Sequence, residues 1–223
     1  MADPARPDAL RTRWTRALEG ARSPAAGPDP GPYADNLLAR WQEPQRHYHT
    51  LAHLTVVLDH IDVLEKHADD PDVVRLAAWF HDAVYLPDRS ENEERSARLA
   101  ERALPEAGVP EAKAAEVARL VRLTVTHDPA DDDRDGQVLC DADLAILAAP
   151  PSAYAAYTAA VREEYHFVPG DAFRDGRAAI LRQLLDLPRL FRTPYGQAEW
   201  EATARYNITS ELEMLSLPTN PAT

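Results

Sequence analysis

Apolar residues recur at three- and four-residue spacing through segment after segment of this chain, and no stretch keeps the strict alternation of a half-buried strand. Residues one helical turn apart share a face. The spacing therefore predicts helices over 52–64, 73–84, 97–104, 114–125, 144–149, 153–165, 178–187 and 200–215, after a first helix near 8–22. The expected class is all-α, a helical bundle with additional N- and C-terminal helices. Start signals agree with it: Ser90 and Glu93 make a capping box, Pro110 suits a first helical turn, and Ser152 precedes another helix.

Organisation follows from where the periodicity breaks. Proline and glycine cluster in SPAAGPDPGPY, which divides residues 1–32, a first helix and its connection, from a main body over 33–215, with a tail at 216–223. The acidic run HDPADDDRDG, residues 127–136, reads as a solvated turn, because it lacks the terminal glutamate of a calcium-binding EF-hand loop. The 223 residues suffice for one domain with a sizeable core. No apolar run is long enough for a bilayer, no basic-then-apolar leader opens the chain, and the single cysteine, Cys140, rules out an intrachain disulfide framework. These features lead us to expect a soluble, cytoplasmic protein with no membrane partner. A net charge of −13 and only two lysines, Lys66 and Lys113, argue against a nucleic-acid polymer as partner, since phosphate backbones are held by clustered Lys and Arg. A metal ion or a small anionic ligand at a local site stays open, as does a homo-oligomer.

Histidine is concentrated in RHYHTLAHL, residues 46–54. At about 100° per residue, Leu51, Leu54, Leu58 and Ile61 form one stripe while Arg46, His49, His53 and His60 gather opposite. Such a helix is either a surface helix or one wall of a polar cavity. In VVRLAAWFHDAVY, His81 and Asp82 end a segment that is apolar on nearly every face. Burying a carboxylate beside an imidazole is costly unless a cation or hydrogen bonds compensate. In LCDADLAIL, Asp141 and Asp143 begin another apolar helix, where an aspartate is often only a cap.

The order His-x-x-x-His, His-Asp, then Asp resembles the HD superfamily of metal-dependent phosphohydrolases. RHYHTLAHL, WFHDAVY followed by ENEERSA, TVTH, CDADLAIL, VREEY and ARYN look like the bacterial family of predicted metal-dependent HD phosphohydrolases, over about residues 33–215. The resemblance implies an HD-type helical metal-binding domain. YHTLAH also matches in spacing a segment of the distantly similar cyclic-nucleotide phosphodiesterases, which implies that His49 is a general acid and His53 a ligand; ADLA selects Asp143 over Asp141. The implied ligand set is His53, His81, Asp82 and Asp143, suited to a divalent Mn, Fe, Co, Ni, Zn or Mg ion. Asp82 joins His49 in the catalytic set because it can bridge a second ion, for which His127 and Glu93 are the spare ligands.

Several residues keep two readings. Glu93 can serve the capping box, and His127 can close a helix C-terminus. Arg46 either offers its planar fork to a phosphate or pairs with Glu163 or Glu164. Asn92 and Glu93, just after the His-Asp loop, are candidates for substrate contact, and Arg162 and Arg205 for interhelical ion pairs. His60 and His67 read as solvated, and His166 as a helix-end residue. The expected function is hydrolysis of a small phosphate ester or nucleotide by water of lowered pKa. The alternatives are an HD-type di-iron oxygenase and a helical regulatory module that binds a nucleotide or metal without turnover.

Overall fold

The computed structural model describes residues 6–22 and 27–217. Among these the chain forms eleven α-helices and no strand: α1 (Pro7–Ala21), α2 (Gly31–Trp41), α3 (Leu51–Leu64), α4 (Pro71–Phe80), α5 (Asn92–Glu106), α6 (Glu111–Leu123), α7 (Arg134–Leu144), α8 (Pro151–Glu164), α9 (Gly170–Asp186), α10 (Pro194–Glu199) and α11 (Glu201–Ser216). Short 3-10 turns, Glu65–His67 and Ala145–Ala148, extend α3 and α7. The expected all-α class is observed. No single helix among the described residues is long and apolar enough to cross a membrane.

Local chemistry sets the helix ends. Asp70 accepts the Val73 N–H at 3.2 Å with Pro71 in the first turn of α4, and Asp133 accepts the Gly136 N–H at 2.9 Å to start α7 inside the acidic run. Gly108, at φ +88°, closes α5 with bonds from its own N–H to the Pro105 carbonyl and from Val109 N–H to the Leu104 carbonyl, a Schellman ending only glycine adopts without strain. That ending turns the chain back so that α6 packs along α5.

Helices α1 to α7 share one core built around Trp14, Trp41, Trp79 and Phe80, all at most 1 % exposed. Trp14 meets Trp79 edge to face at 5.5 Å, and Trp41 donates its indole N–H to the Trp79 carbonyl at 3.0 Å. Each fully buried side chain of this size contributes about 1.5–3 kcal/mol. Helix α1 belongs to this core: Leu10, Trp14 and Leu18 are fully buried in it, and α1 lies against α4. The connection at 23–33 is shorter than its composition suggests, since Gly31 already begins α2, an element the periodicity missed; residues 23–26 lie outside the described residues. The tail at 216–223 lies outside them from residue 218.

A second, smaller core joins α8, α9 and α11 through Tyr154, Leu181, Phe191, Ala204 and Ile208. Asp141 links the two. Its carboxylate accepts the Arg192 and Thr193 N–H groups at 2.8 Å each and the Thr193 hydroxyl at 2.6 Å. A Cβ at Gly196 would come within 2.6 Å of that carboxylate and 2.8 Å of Phe191 Cβ, so the close approach needs glycine.

Several local expectations are corrected. The capping box does not form, because α5 starts at Asn92 and no side chain caps it. Asp141 and Asp143 lie in the last turn of α7, which begins at Arg134, rather than opening a helix. Arg162 does not pair with an acid across helices; it donates to the Tyr165 and Val168 carbonyls and closes its own helix. Arg205 pairs with Glu201 within α11 and reaches α9 through the Leu185 and Leu187 carbonyls.

Candidate metal centre

Helix α4 is apolar on nearly every face and ends at Phe80, four residues earlier than the periodicity suggests. His81 sits at the C-cap, its N–H still bonded to the Ala77 carbonyl, and the turn that follows carries Asp82. Ser96 holds this turn through the Val84 N–H and carbonyl, and Asn92 through Leu86 and Arg89. The first turn of α3 supplies His53, and the last turn of α7 supplies Asp143.

These side chains converge. His53 Nε2 lies 3.3 Å from His81 Nε2 and 3.2 Å from Asp143 Oδ1, and His81 Nε2 lies 3.6 Å from Asp143 Oδ1. Asp82 Oδ2 approaches from the histidine side, 3.1 Å from His81 Nε2 and 3.9 Å from His53 Nε2. Ligands bonded to one ion at about 2.0–2.2 Å stand roughly 3.0–4.2 Å from each other. The cluster of His53, His81 and Asp143 therefore could hold a divalent ion, as its mutual spacing allows.

Proton bookkeeping points the same way. His81 Nδ1 is 2.7 Å from the Ala78 carbonyl, which can only accept, so Nδ1 carries the proton and Nε2 of the neutral ring is bare. That lone pair faces two carboxylates and a second imidazole nitrogen, an arrangement that requires a proton or a cation among them. Burial opposes a charged His81, but Asp82 and Asp143 outweigh it and hold its pKa well above the usual imidazole value. His53 goes the other way, because burial there exceeds the help from Asp143. Burial also works against ionised Asp143, yet His81, His127 and His53 bring its pKa well below the ordinary value.

His49 is not on the same helix as His53. Helix α3 starts at Leu51, so residues 46–50 form a loop, and the helical-face argument fails for Arg46 and His49. The ring nevertheless stands 5.5 Å from that of His53, with Nε2 3.8 Å from Asp82 Oδ2. Glu164, at the end of α8, brings it there. Its Oε1 accepts three consecutive backbone N–H groups, His47, Tyr48 and His49, each at 2.9 Å. Its Oε2 accepts His49 Nδ1–H at 2.7 Å and the Tyr85 hydroxyl at 3.2 Å. Burial alone would raise the Glu164 pKa, but the His49 hydrogen bond and charge bring it down to about 2. Burial alone would lower that of His49, and Asp82 with Glu164 raises it instead.

The remaining candidates separate. Arg46 has no side-chain exposure, so it does not offer its fork to a phosphate; it pairs with Glu43, not Glu163 or Glu164, and donates to the His49 and Ala83 carbonyls between the rings of Trp41 and Tyr85. Asn92 is buried and spends its carboxamide on the loop. Glu93, half-buried in α5, makes no hydrogen bond or ion pair with the cluster among the described residues. His127 both ends a helix and meets the site: its N–H bonds to the Leu123 carbonyl, φ is +50°, and Nε2 lies 2.8 Å from Asp143 Oδ2. His60 is half-buried against Trp200 with Nδ1 3.3 Å from the Ala142 carbonyl, and His67 is half-buried too, so both are only partly solvated. His166 is an exposed helix-end residue, as expected.

Glu164 was the residue missed. Its signal was present: Tyr154, Tyr157, Val161 and Glu164 follow helical spacing, so a glutamate continues an apolar stripe. Comparison of the chain with protein-family models, with curated proteins and with solved structures returns no match.

Proposed function

We propose that the protein is a metal-dependent phosphohydrolase acting on a small phosphate ester or nucleotide. The observation that carries this reading is the side-by-side placement of two unlike devices. One is a histidine–carboxylate cluster whose facing lone pairs call for a cation; the other is a proton donor aimed across it by a buried glutamate. A divalent ion held by His53, His81, Asp143 and Asp82 would supply Lewis acidity toward a phosphoryl oxygen and a water of lowered pKa.

The chain's own residues do the rest. Glu164 fixes the Nδ1–H of His49, which leaves Nε2 facing the cluster as the proton-delivering atom. The raised pKa of that ring favours the charged, donating form, which a leaving alkoxide needs. Arg46 braces the His49 and Ala83 carbonyls, holding the acid loop and the His-Asp turn in register. His127 orients Asp143 through its second oxygen, the outer-shell arrangement typical of ligating carboxylates. The reading is supported by the motif order, which resembles that of the HD superfamily. The net charge of −13 favours a small substrate over a polynucleotide.

The test is metal analysis of the purified protein, followed by a phosphoesterase panel with each candidate ion at about 0.15 M salt, the physiological ionic strength. Mononucleotides and simple phosphate esters should turn over faster than oligonucleotides. A metal-free protein inactive with every ion, or one that cleaves long strands faster at that salt, would overturn the reading.

A further inference from the structure

A cavity of about 340 Å³ opens beside His49, between α8 and α9. Its walls are aromatic: Tyr48 and Tyr157 meet edge to face at 4.7 Å, and Tyr165 and Phe173 stand opposite, 6.3 Å apart. Val161 and Ile180 fill in between them. No carboxylate lines it, and neither basic group on its wall is free: His49 is paired with Glu164, and Arg177 is also spent. Arg177 is bonded twice to Glu211, at 2.7 and 3.1 Å, and lies 5.1 Å from the Tyr157 ring centre. The cavity is therefore not a second anion site.

We propose that this cavity takes the leaving-group half of the phosphoester, and that this half is a flat aromatic ring system of one or two rings. The proposal rests on the phosphohydrolase reading only for the words leaving group; the ligand chemistry comes from the cavity itself. His49 sits at the boundary, so a group whose oxygen it protonates extends into the space that His49 lines. A sugar or polyol there would lose its water hydrogen bonds to walls with few polar partners, whereas a ring gains stacking faces and loses little. The volume falls within the lower range of small-molecule sites, near the size of a nucleoside or an aryl alcohol.

Gly176 of α9 provides the test. It lines the cavity, and a Cβ built there meets nothing within 4 Å. The Cβ of Gly176→Phe has open space, and the variant should fold with its ring occupying part of the cavity, since a helix-interior glycine is replaced by a better helix former. The purified protein, as isolated, is titrated calorimetrically with adenosine and 2-naphthol as phosphate-free aromatic probes, and with ribose and glycerol as non-aromatic ones. At least one aromatic probe should bind with ribose and glycerol at least tenfold weaker, and which one binds separates a nucleobase from an aryl group. Gly176→Phe should abolish that binding with metal content and thermal melting unchanged, while Gly176→Ala keeps it. Phe173→Ala, which removes one stacking face, should weaken it by roughly 5- to 150-fold.

Equal affinities for ring and polyol, binding of neither aromatic probe, or unchanged binding in Gly176→Phe would overturn the proposal. Aromatic binding lost in Gly176→Phe, with a silent phosphoesterase panel, would support the cavity assignment and remove the hydrolytic reading alone.

Discussion

Replacing Glu164 by glutamine keeps the size of the side chain and removes its charge. The three backbone N–H groups of residues 47–49 can still bond to the amide oxygen, but the amide nitrogen then faces His49 Nδ1, which must give up its proton to that position. The wild-type carboxyl is held at about 2 against an ordinary 4.5. At 1.36 kcal/mol per tenfold change in the proton equilibrium, the charge-dependent stabilisation is roughly 3 kcal/mol. The sign follows from the depressed pKa: this stability is fully present above 4.5 and is lost as pH falls toward 2. Wild type should therefore exceed Glu164→Gln by roughly 2–3 kcal/mol at pH 7, and linkage reduces the gap by about half near pH 3.5. Urea unfolding followed by helical circular dichroism at both pH values measures the gap, and nitrogen-15 NMR of the imidazole reports whether His49 Nδ1 keeps its proton. An equal gap at the two pH values would refute the charge argument and leave a packing effect, as would a protonated Nδ1 in the variant.

Four further outcomes are expected. His53→Ala, Asp143→Ala and Asp82→Ala should each strip metal from a folded protein, and elemental analysis showing wild-type metal in all three would sink the ligand assignment. His49→Asn should retain metal and lose roughly 10²- to 10⁴-fold in turnover of esters with poor leaving groups, with a smaller loss on nitrophenyl phosphates; equal losses on both would remove His49 from the acid role. His127→Asn tolerates the left-handed backbone and should melt near wild type while metal affinity falls roughly 10- to 100-fold, the usual cost of losing an outer-shell partner. Arg46→Met should destabilise by roughly 2–4 kcal/mol in urea unfolding, because two carbonyls lose their donor in a fully buried position, and Arg46→Lys should not restore it; a variant as stable as wild type would show that Arg46 bears no such load.

The site shows where a linear reading stops. His81 and Asp82 were legible because a polar pair closes an apolar helix, a costly placement that local sequence exposes, whereas His53 and the choice of Asp143 over Asp141 rested on the motif resemblance. The pairing of His49 with His53 was right in outcome and wrong in cause. Four-residue spacing on a helix would bring them together, but the helix starts at Leu51 and a loop does it instead. Arg46 was read as meeting either a phosphate or Glu163 or Glu164, and it does neither: besides Glu43, its partners are backbone carbonyls and aromatic rings, which no charge pattern reveals. The capping box at Ser90 failed for a related reason: Asn92 and Ser96 were drawn into tying down the His-Asp turn, and the helix began at Asn92.

By itself, the sequence determined what depends on neighbours along the chain: the helical class, the places of the longer helices other than α2 and α7, and the polar residues that their apolar faces have to accommodate. Helical periodicity is a local property and survives in any packing. Only the tertiary structure decided that α1 belongs to the main core, that Asp141 joins two cores while Asp143 faces the cluster, and that Glu164 holds His49 from 115 positions away. Those outcomes turn on which buried group finds a partner. A buried carboxylate or imidazole is stable only when donors, acceptors or a cation converge on it from several helices at once, and that convergence exists only after the helices pack.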